Sequence, residues 1–143
     1  MAAFSNSDIG FCIKQIHDRM EKRANNSLRA DGLTMMQLSF LLELQRADEK
    51  QLTMKELERV FSVAQSTVAG IVSRLEQKGL VEARADNYDK RVKLVHITPS
   101  GEACCAEAAI HKEESERKLL SGFTEAECET LSRLLIRAAK NME

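Results

Sequence analysis

A mainly α-helical chain carrying one small β-hairpin is the fold class this sequence predicts, on three observations. Apolar residues recur at helical spacing, as in Ile9, Cys12, Ile13, Ile16, Met20 and Ala24. One capping pattern occurs three times, in Leu33-Thr34-Met35-Met36-Gln37-Leu38, Leu52-Thr53-Met54-Lys55-Glu56-Leu57 and Phe123-Thr124-Glu125-Ala126-Glu127-Cys128. In each, the Thr hydroxyl can accept from the amide three residues on, the Gln or Glu can answer, and flanking apolar residues staple the entry. The strand-like runs form a single pair, Leu80 to Ala85 and Val92 to Thr98, separated by the polar stretch ADNYDKR at 85–91.

The elements follow in order. The apolar spacing predicts a first helix over about 7–29, ended by DGL at 31–33. A second helix starts near 34, and a third starts near 53 and reaches only Val60 or Phe61. Ser62-Val63 then turns the chain into a helix over about 64–78. Val68, Ile71, Val72 and Leu75 form its apolar stripe, which leaves Gln65, Ser66, Ala69, Gly70 and Ser73 largely on the other side. No Asp or Glu occurs from Phe61 to Leu75. First turns usually favour acids, whose charge meets the positive end of the backbone dipole. A helix that approaches a polyanion would avoid them, although a merely solvated surface helix fits this stretch equally well. Gly79 supplies a left-handed stop, with Leu80 packing back on Leu75. The two helices and their tight turn make a helix-turn-helix candidate. The hairpin tip and far strand carry Lys90, Arg91 and Lys93. Thr98-Pro99 caps a helix to about Leu120, and the last helix, Thr124 to about Asn141, aligns Cys128, Leu131, Leu134, Leu135 and Ala138.

Length and composition bound the function. At 143 residues, with 43% hydrophobic and 30% charged residues, the chain fits one soluble helical domain. No apolar run approaches the roughly 20 residues that span a bilayer, and Met1 to Asp8 lacks the regions of a signal peptide. A cytoplasmic location without a membrane partner is expected. The net charge of -1 gives no global sign of nucleic-acid binding, but Thr53 to Lys93 holds eight Lys and Arg against six Asp and Glu. Contacted phosphates rather than total charge set affinity for a duplex. Cys12, Cys104, Cys105 and Cys128 show no C-x-x-C spacing, and His17, His96 and His111 lie far apart, so neither a metal nor another cofactor is expected. Nucleophile motifs and phosphate-binding glycine loops are missing, and Glu113-Glu114 reads as solvated helix charge, so the chain is not expected to be an enzyme.

Helix-turn-helix, glycine stop, basic hairpin and long terminal helices in this order resemble the winged-helix regulators of the multiple antibiotic resistance regulator (MarR) family over essentially the whole chain. The matching residues are GLTMMQLSFLLEL from 32, TMKELERVFSVAQSTVAGIVSRLEQKGLV from 53 and RADNYDKRVKLVHITPSGEA from 84. The last is the most specific, through Arg84, Asp86, Asp89, Lys90, Arg91, Ile97, Thr98 and Gly101. The resemblance implies one domain over 1–143, with a winged-helix lobe at about 34–98 and dimerisation helices at 1–33 and 99–143. It implies a homodimeric, sequence-specific regulator of double-stranded DNA, a repressor on a pseudo-palindromic operator. The 64–78 helix would enter a major groove through Gln65, Ser66, Thr67 and Ser73. Arg74 and Lys78 would contact the backbone or serve as structural partners. The hairpin, with Arg84, Asp86, Asp89, Lys90, Arg91 and Lys93, would lie along the backbone with Arg91 at the minor groove. Asp86 or Asp89 would hold that arginine or close the turn. Gly70 stands where many relatives have Arg or Lys, and Ala64 where they have a Ser or Thr cap.

The resemblance also implies an effector pocket between the first, second and fifth helices and the DNA-binding lobe. His17, Met20, Met35, Met36 and Arg46 are its candidates, for a small aromatic or anionic effector that releases the repressor. Two alternatives remain. One is a winged-helix protein-interaction module without DNA binding, suggested by the net charge and Gly70 but opposed by the intact basic wing. The other is a cysteine redox sensor of the same fold. Cys12 lies in the first helix but on its apolar stripe, which suits a structural thiol, and the only tyrosine, Tyr88, is in the wing.

Overall fold

The computed structural model describes residues 8–143. Its elements are α1 (Ile9–Ala30), α2 (Met35–Arg46), β1 (Gln51–Thr53), α3 (Met54–Phe61), α4 (Gln65–Gln77), β2 (Val81–Ala85), β3 (Lys93–Ile97), α5 (Pro99–Leu119) and α6 (Glu125–Asn141). The chain is thus mainly α with a small sheet, as its patterning requires. Residue 7, where the first helix was expected to start, lies outside the described residues. Asp8 caps α1, its carboxylate accepting from the Phe11 amide at 3.3 Å.

Two local expectations need correction. The hairpin β2–β3 gains a third strand, because β1 pairs antiparallel with the other edge of β3, giving the order β1-β3-β2. Three residues are too few to show an alternating pattern, so β1 had no sequence signal. The capping boxes at Thr34 and Thr124 are reciprocal, with Gln37 and Glu127 returning bonds to the cap amides at 3.2 and 2.9 Å. At Thr53 only half the box exists: the hydroxyl accepts from the Glu56 amide at 3.0 Å, with no return bond. Thr53 is also the last residue of β1, opposite Leu94, so its backbone is already committed to the sheet.

The chain divides into two compact units, Met1–His111 and Lys112–Glu143. In the first, Phe40, Leu41 and Leu44 of α2, Leu57 of α3, Val68 and Leu75 of α4, and Val95 and Ile97 of β3 are fully buried together. Each such side chain contributes about 1.5–3 kcal/mol by leaving water. Phe40 stacks on Phe61 with ring centroids 4.3 Å apart, joining α2 to the end of α3. The second unit holds the end of α5, the turn to Thr124 and α6. No residue of α6 is buried, and Leu134, Leu135 and Ile136 remain exposed.

Candidate nucleic-acid interface

Helix α4 is oriented by its apolar stripe. Val68, Val72 and Leu75 face the core, which turns Gln65, Ser66, Thr67, Ala69, Gly70, Ser73 and Arg74 outward. A Cβ added at Gly70 would meet nothing within 4 Å, so this stretch of helix surface is low and open. At the N-terminus Ala64 provides no side-chain cap, and the first turn has no acid. The Thr67 and Val68 amides bond back to the Ala64 carbonyl at 3.0 and 3.1 Å. The Gln65 and Ser66 amides precede the helical ladder and face solvent.

The other end of α4 is fastened. Gly79 adopts φ +73°, and the Leu80 and Gly79 amides return to the Leu75 and Glu76 carbonyls at 3.0 and 2.9 Å. The Lys78 ammonium donates to the Gly32 carbonyl in the α1–α2 turn and, at 3.2 Å, to Gln37 Oε1. Gln37, only 4% exposed, thereby serves both the Thr34 cap and Lys78. Of the two roles the sequence left open for Lys78, the ammonium fills the structural one here. No local pattern links Gln37 and Gly32 to Lys78, since they lie 41 and 46 residues away in the chain.

The wing is a braced loop. Ala85 pairs with Lys93, and beyond them the Asp86 amide donates to the Val92 carbonyl at 2.9 Å. Asp86 closes the turn by accepting from the Asp89 amide at 3.3 Å. Asp89 accepts from Arg91 Nε at 3.1 Å and Nη2 at 3.2 Å, a two-point fork, and from the Arg91 amide at 3.1 Å. The side-chain bond from Arg91, reinforced by the backbone bond, holds the Asp89 carboxyl below the usual carboxylate range. The two acids therefore divide the roles considered for them, Asp86 closing the turn and Asp89 holding the arginine. Lys90 and Lys93 point to solvent, and Arg84 lies 3.9 Å from Glu82.

The effector candidates are not gathered in the same way. Met35 lines a cleft of about 450 Å³ with Asn25, Leu28, Arg29, Gly32, Leu33 and Thr34. Arg46 stands at the far end of α2, roughly 16 Å from Met35 at 1.5 Å per residue, within 3.9 Å of Glu43. The two thus stand at opposite ends of one helix. His17 is exposed and 3.3 Å from Glu21, Met20 is half-buried on α1, and Met36 is exposed beside Met35. Ligand atoms of His17, Asp18 and Glu21 lie within 4.8 Å of one another on the solvated face of α1, where Lys14 is 2.6 Å from Asp18. Burial, the largest influence on each, pushes the Cys104 and Cys105 thiols above their ordinary range.

The family model described as the MarR family matches residues 31–92, from the α1–α2 turn through the wing. The HTH-type transcriptional regulator YwoH of Bacillus subtilis (strain 168) is 33% identical over 122 residues, covering 85% of this chain and 87% of that protein. The crystal structure of YusO from B. subtilis superposes with a TM-score of 0.86 at 25% identity, covering 94% of each chain. A point mutant of S. aureus MepR, solved bound to an oligodeoxyribonucleotide, has the same fold, with a TM-score of 0.78, 24% identity, and coverage of 98% of this chain and 99% of that one. Fold, wing and sequence thus agree, and the chain belongs to the MarR family of transcription regulators.

Proposed function

We propose that this protein is a homodimeric, cytoplasmic repressor that reads a pseudo-palindromic duplex through α4 and braces it with the wing, and that it has no catalytic role. The observation that carries this reading is the outward face of α4, acid-free and polar from Gln65 to Arg74, beside a hairpin edged by Lys90, Arg91 and Lys93. Gln65 and Ser66 offer groups that hydrogen-bond base edges, Thr67 and Ser73 extend the same face, and Arg74 reaches for phosphate. Arg91, held by Asp89, is presented to the narrow minor groove, whose potential attracts guanidinium groups. Lys93 and Arg84 contact the backbone. The MepR complex supports this reading as an example of the fold on DNA.

Exposed apolar residues on α1 (Ile9, Ile13 and Ile16) and on α6 (Leu134, Leu135 and Ile136) support dimerisation through the terminal helices, since a second copy would take them out of water. Half-sites about 10 base pairs apart then match one duplex turn. Release by a small anionic or aromatic effector follows the family, and the cleft beside Arg29 and Met35 is its most suitable seat. The raised thiols of Cys104 and Cys105 disfavour a redox switch at those two positions, because the thiolate is the reactive form.

Selection of duplexes from a random-sequence library by the wild-type protein, followed by gel shift, tests the reading. A palindromic site should be enriched. Arg91→Ala should weaken it by roughly 1–3 kcal/mol, and Lys93→Ala should lower affinity for every sequence and reduce the salt slope by about one phosphate. Gln65→Ala should change the preferred sequence. Failure to enrich any duplex would overturn the proposal, as would a stable monomer at micromolar concentration in sedimentation for the dimer.

A further inference from the structure

We propose that Tyr88, at the tip of the wing, is a DNA-contacting residue in its own right: its ring packs on the sugar-phosphate wall of the groove and its hydroxyl donates to a phosphate oxygen. The inference rests on the DNA-binding reading above and adds to it a residue that neither α4 nor the basic wing residues supply. Tyr88 is 98% exposed. A tyrosine left this far in water keeps a large apolar ring without a partner, and the protein offers it none.

The turn that carries it is braced: before the tip the Asp86 amide donates to the Val92 carbonyl at 2.9 Å, and after it Asp86 and Asp89 accept from the Asp89 and Arg91 amides and the Val92 amide donates to the Asp89 carbonyl at 3.0 Å. The loop therefore sets where the residue's backbone stands, and the ring projects from it without touching the fold. Close to it in the chain are Lys90 and Arg91, with Lys93 at the start of β3, all three exposed. An aromatic side chain set among cations suits a nucleic-acid backbone: the cations meet phosphate charge, and the ring covers the apolar sugar edge between phosphates.

The state of Arg91 strengthens the argument. Its guanidinium is forked onto Asp89, so part of its charge and two of its donors are already spent within the loop. Among the tip residues Asn87, Tyr88 and Lys90, Tyr88 combines a hydroxyl donor with a rigid apolar body, at low entropic cost because its side chain has few rotatable bonds.

The chain contains no Trp and one Tyr, so its intrinsic tyrosine emission reports on Tyr88 alone. The experiment titrates the full-length wild-type protein with the duplex it selects from a random-sequence library. Tyrosine emission is followed in parallel with the anisotropy of the labelled duplex. Emission should change and saturate together with the anisotropy. Tyr88→Ala should weaken binding about tenfold, the scale of one hydrogen bond to a charged group, and Tyr88→Phe should lose less. Circular dichroism of both variants should match wild type, since the side chain touches nothing in the fold. If the duplex binds but the emission is unchanged and Tyr88→Ala binds as tightly as wild type, the inference fails while the DNA-binding reading stands. If no duplex is enriched, both fall together.

Discussion

Helices α2 and α4 meet solvent at their N-termini in opposite ways. At α2 the Thr34 hydroxyl and the Gln37 side chain close a reciprocal box, and Lys78 locks the same glutamine from a third element. At α4 an alanine stands at the cap and supplies no side-chain bond, so the Thr67 amide turns back to the Ala64 carbonyl at 3.0 Å. Among the described residues α4 is alone in this, for Asp8, Thr53, Thr98 and Thr124 cap the starts of α1, α3, α5 and α6. A missing cap costs about 1 kcal/mol. The contrast teaches where the molecule forgoes a side-chain cap: at the helix end that faces an external polyanion in the proposed complex.

The most committed N-terminus should also be the most damaging to disturb. At the start of α5 the Thr98 hydroxyl donates to the Gly79 carbonyl at 2.7 Å and accepts from the Gly101 amide at 3.1 Å. A Cβ on Gly101 would collide with the Leu80 carbonyl oxygen and come within 2.6 Å of Ile97 Cγ1. Gly101→Ala should therefore cost about 1–3 kcal/mol in urea unfolding through overpacking. A neutral result would mean that α5 is not seated on the sheet as described.

Thr34→Ala removes the hydroxyl half of the α2 box and should lower stability by about 1 kcal/mol, with operator binding affected only through folding. Ala64 allows the converse. Ala64→Ser should raise stability by about 1 kcal/mol and keep DNA binding, whereas Ala64→Asp should stabilise comparably but weaken DNA binding by setting a carboxylate against phosphate. If neither substitution stabilises the protein, α4 is already capped in solution and the contrast with α2 disappears. If Ala64→Asp binds the selected duplex as well as Ala64→Ser does, this end of α4 does not meet the polyanion.

The smallest expected effect lies in the wing. Because its folded pKa is depressed, Asp89 contributes stability that is present above its unfolded pKa and lost as pH falls through the folded value. Carbon-detected NMR titration should find this carboxyl protonating at lower pH than an ordinary aspartate, and Arg91→Ala should return it toward the ordinary value. An unshifted Asp89 in wild type would mean that the fork does not persist in water.

Sequence alone determined what depends on near neighbours. Thr34 with Gln37, Thr124 with Glu127 and Gly79 after Leu75 each encode a helix end within a few residues, because the hydrogen bonds involved span three to five positions. The outward face of α4 was legible for the same reason: helical spacing assigns Gln65 and Ser66 to the side opposite Val68, Val72 and Leu75. The tertiary structure decided what depends on distant segments. It paired the three residues of β1 with β3, and turned Lys78 toward Gly32 and Gln37. Between Asp86 and Asp89 the spacing to Arg91 left both roles open, and the folded turn assigned them, since only the loop's own path sets which carboxylate meets the guanidinium. Such pairings follow from where packing brings the backbone, and no local pattern of residue types carries that information.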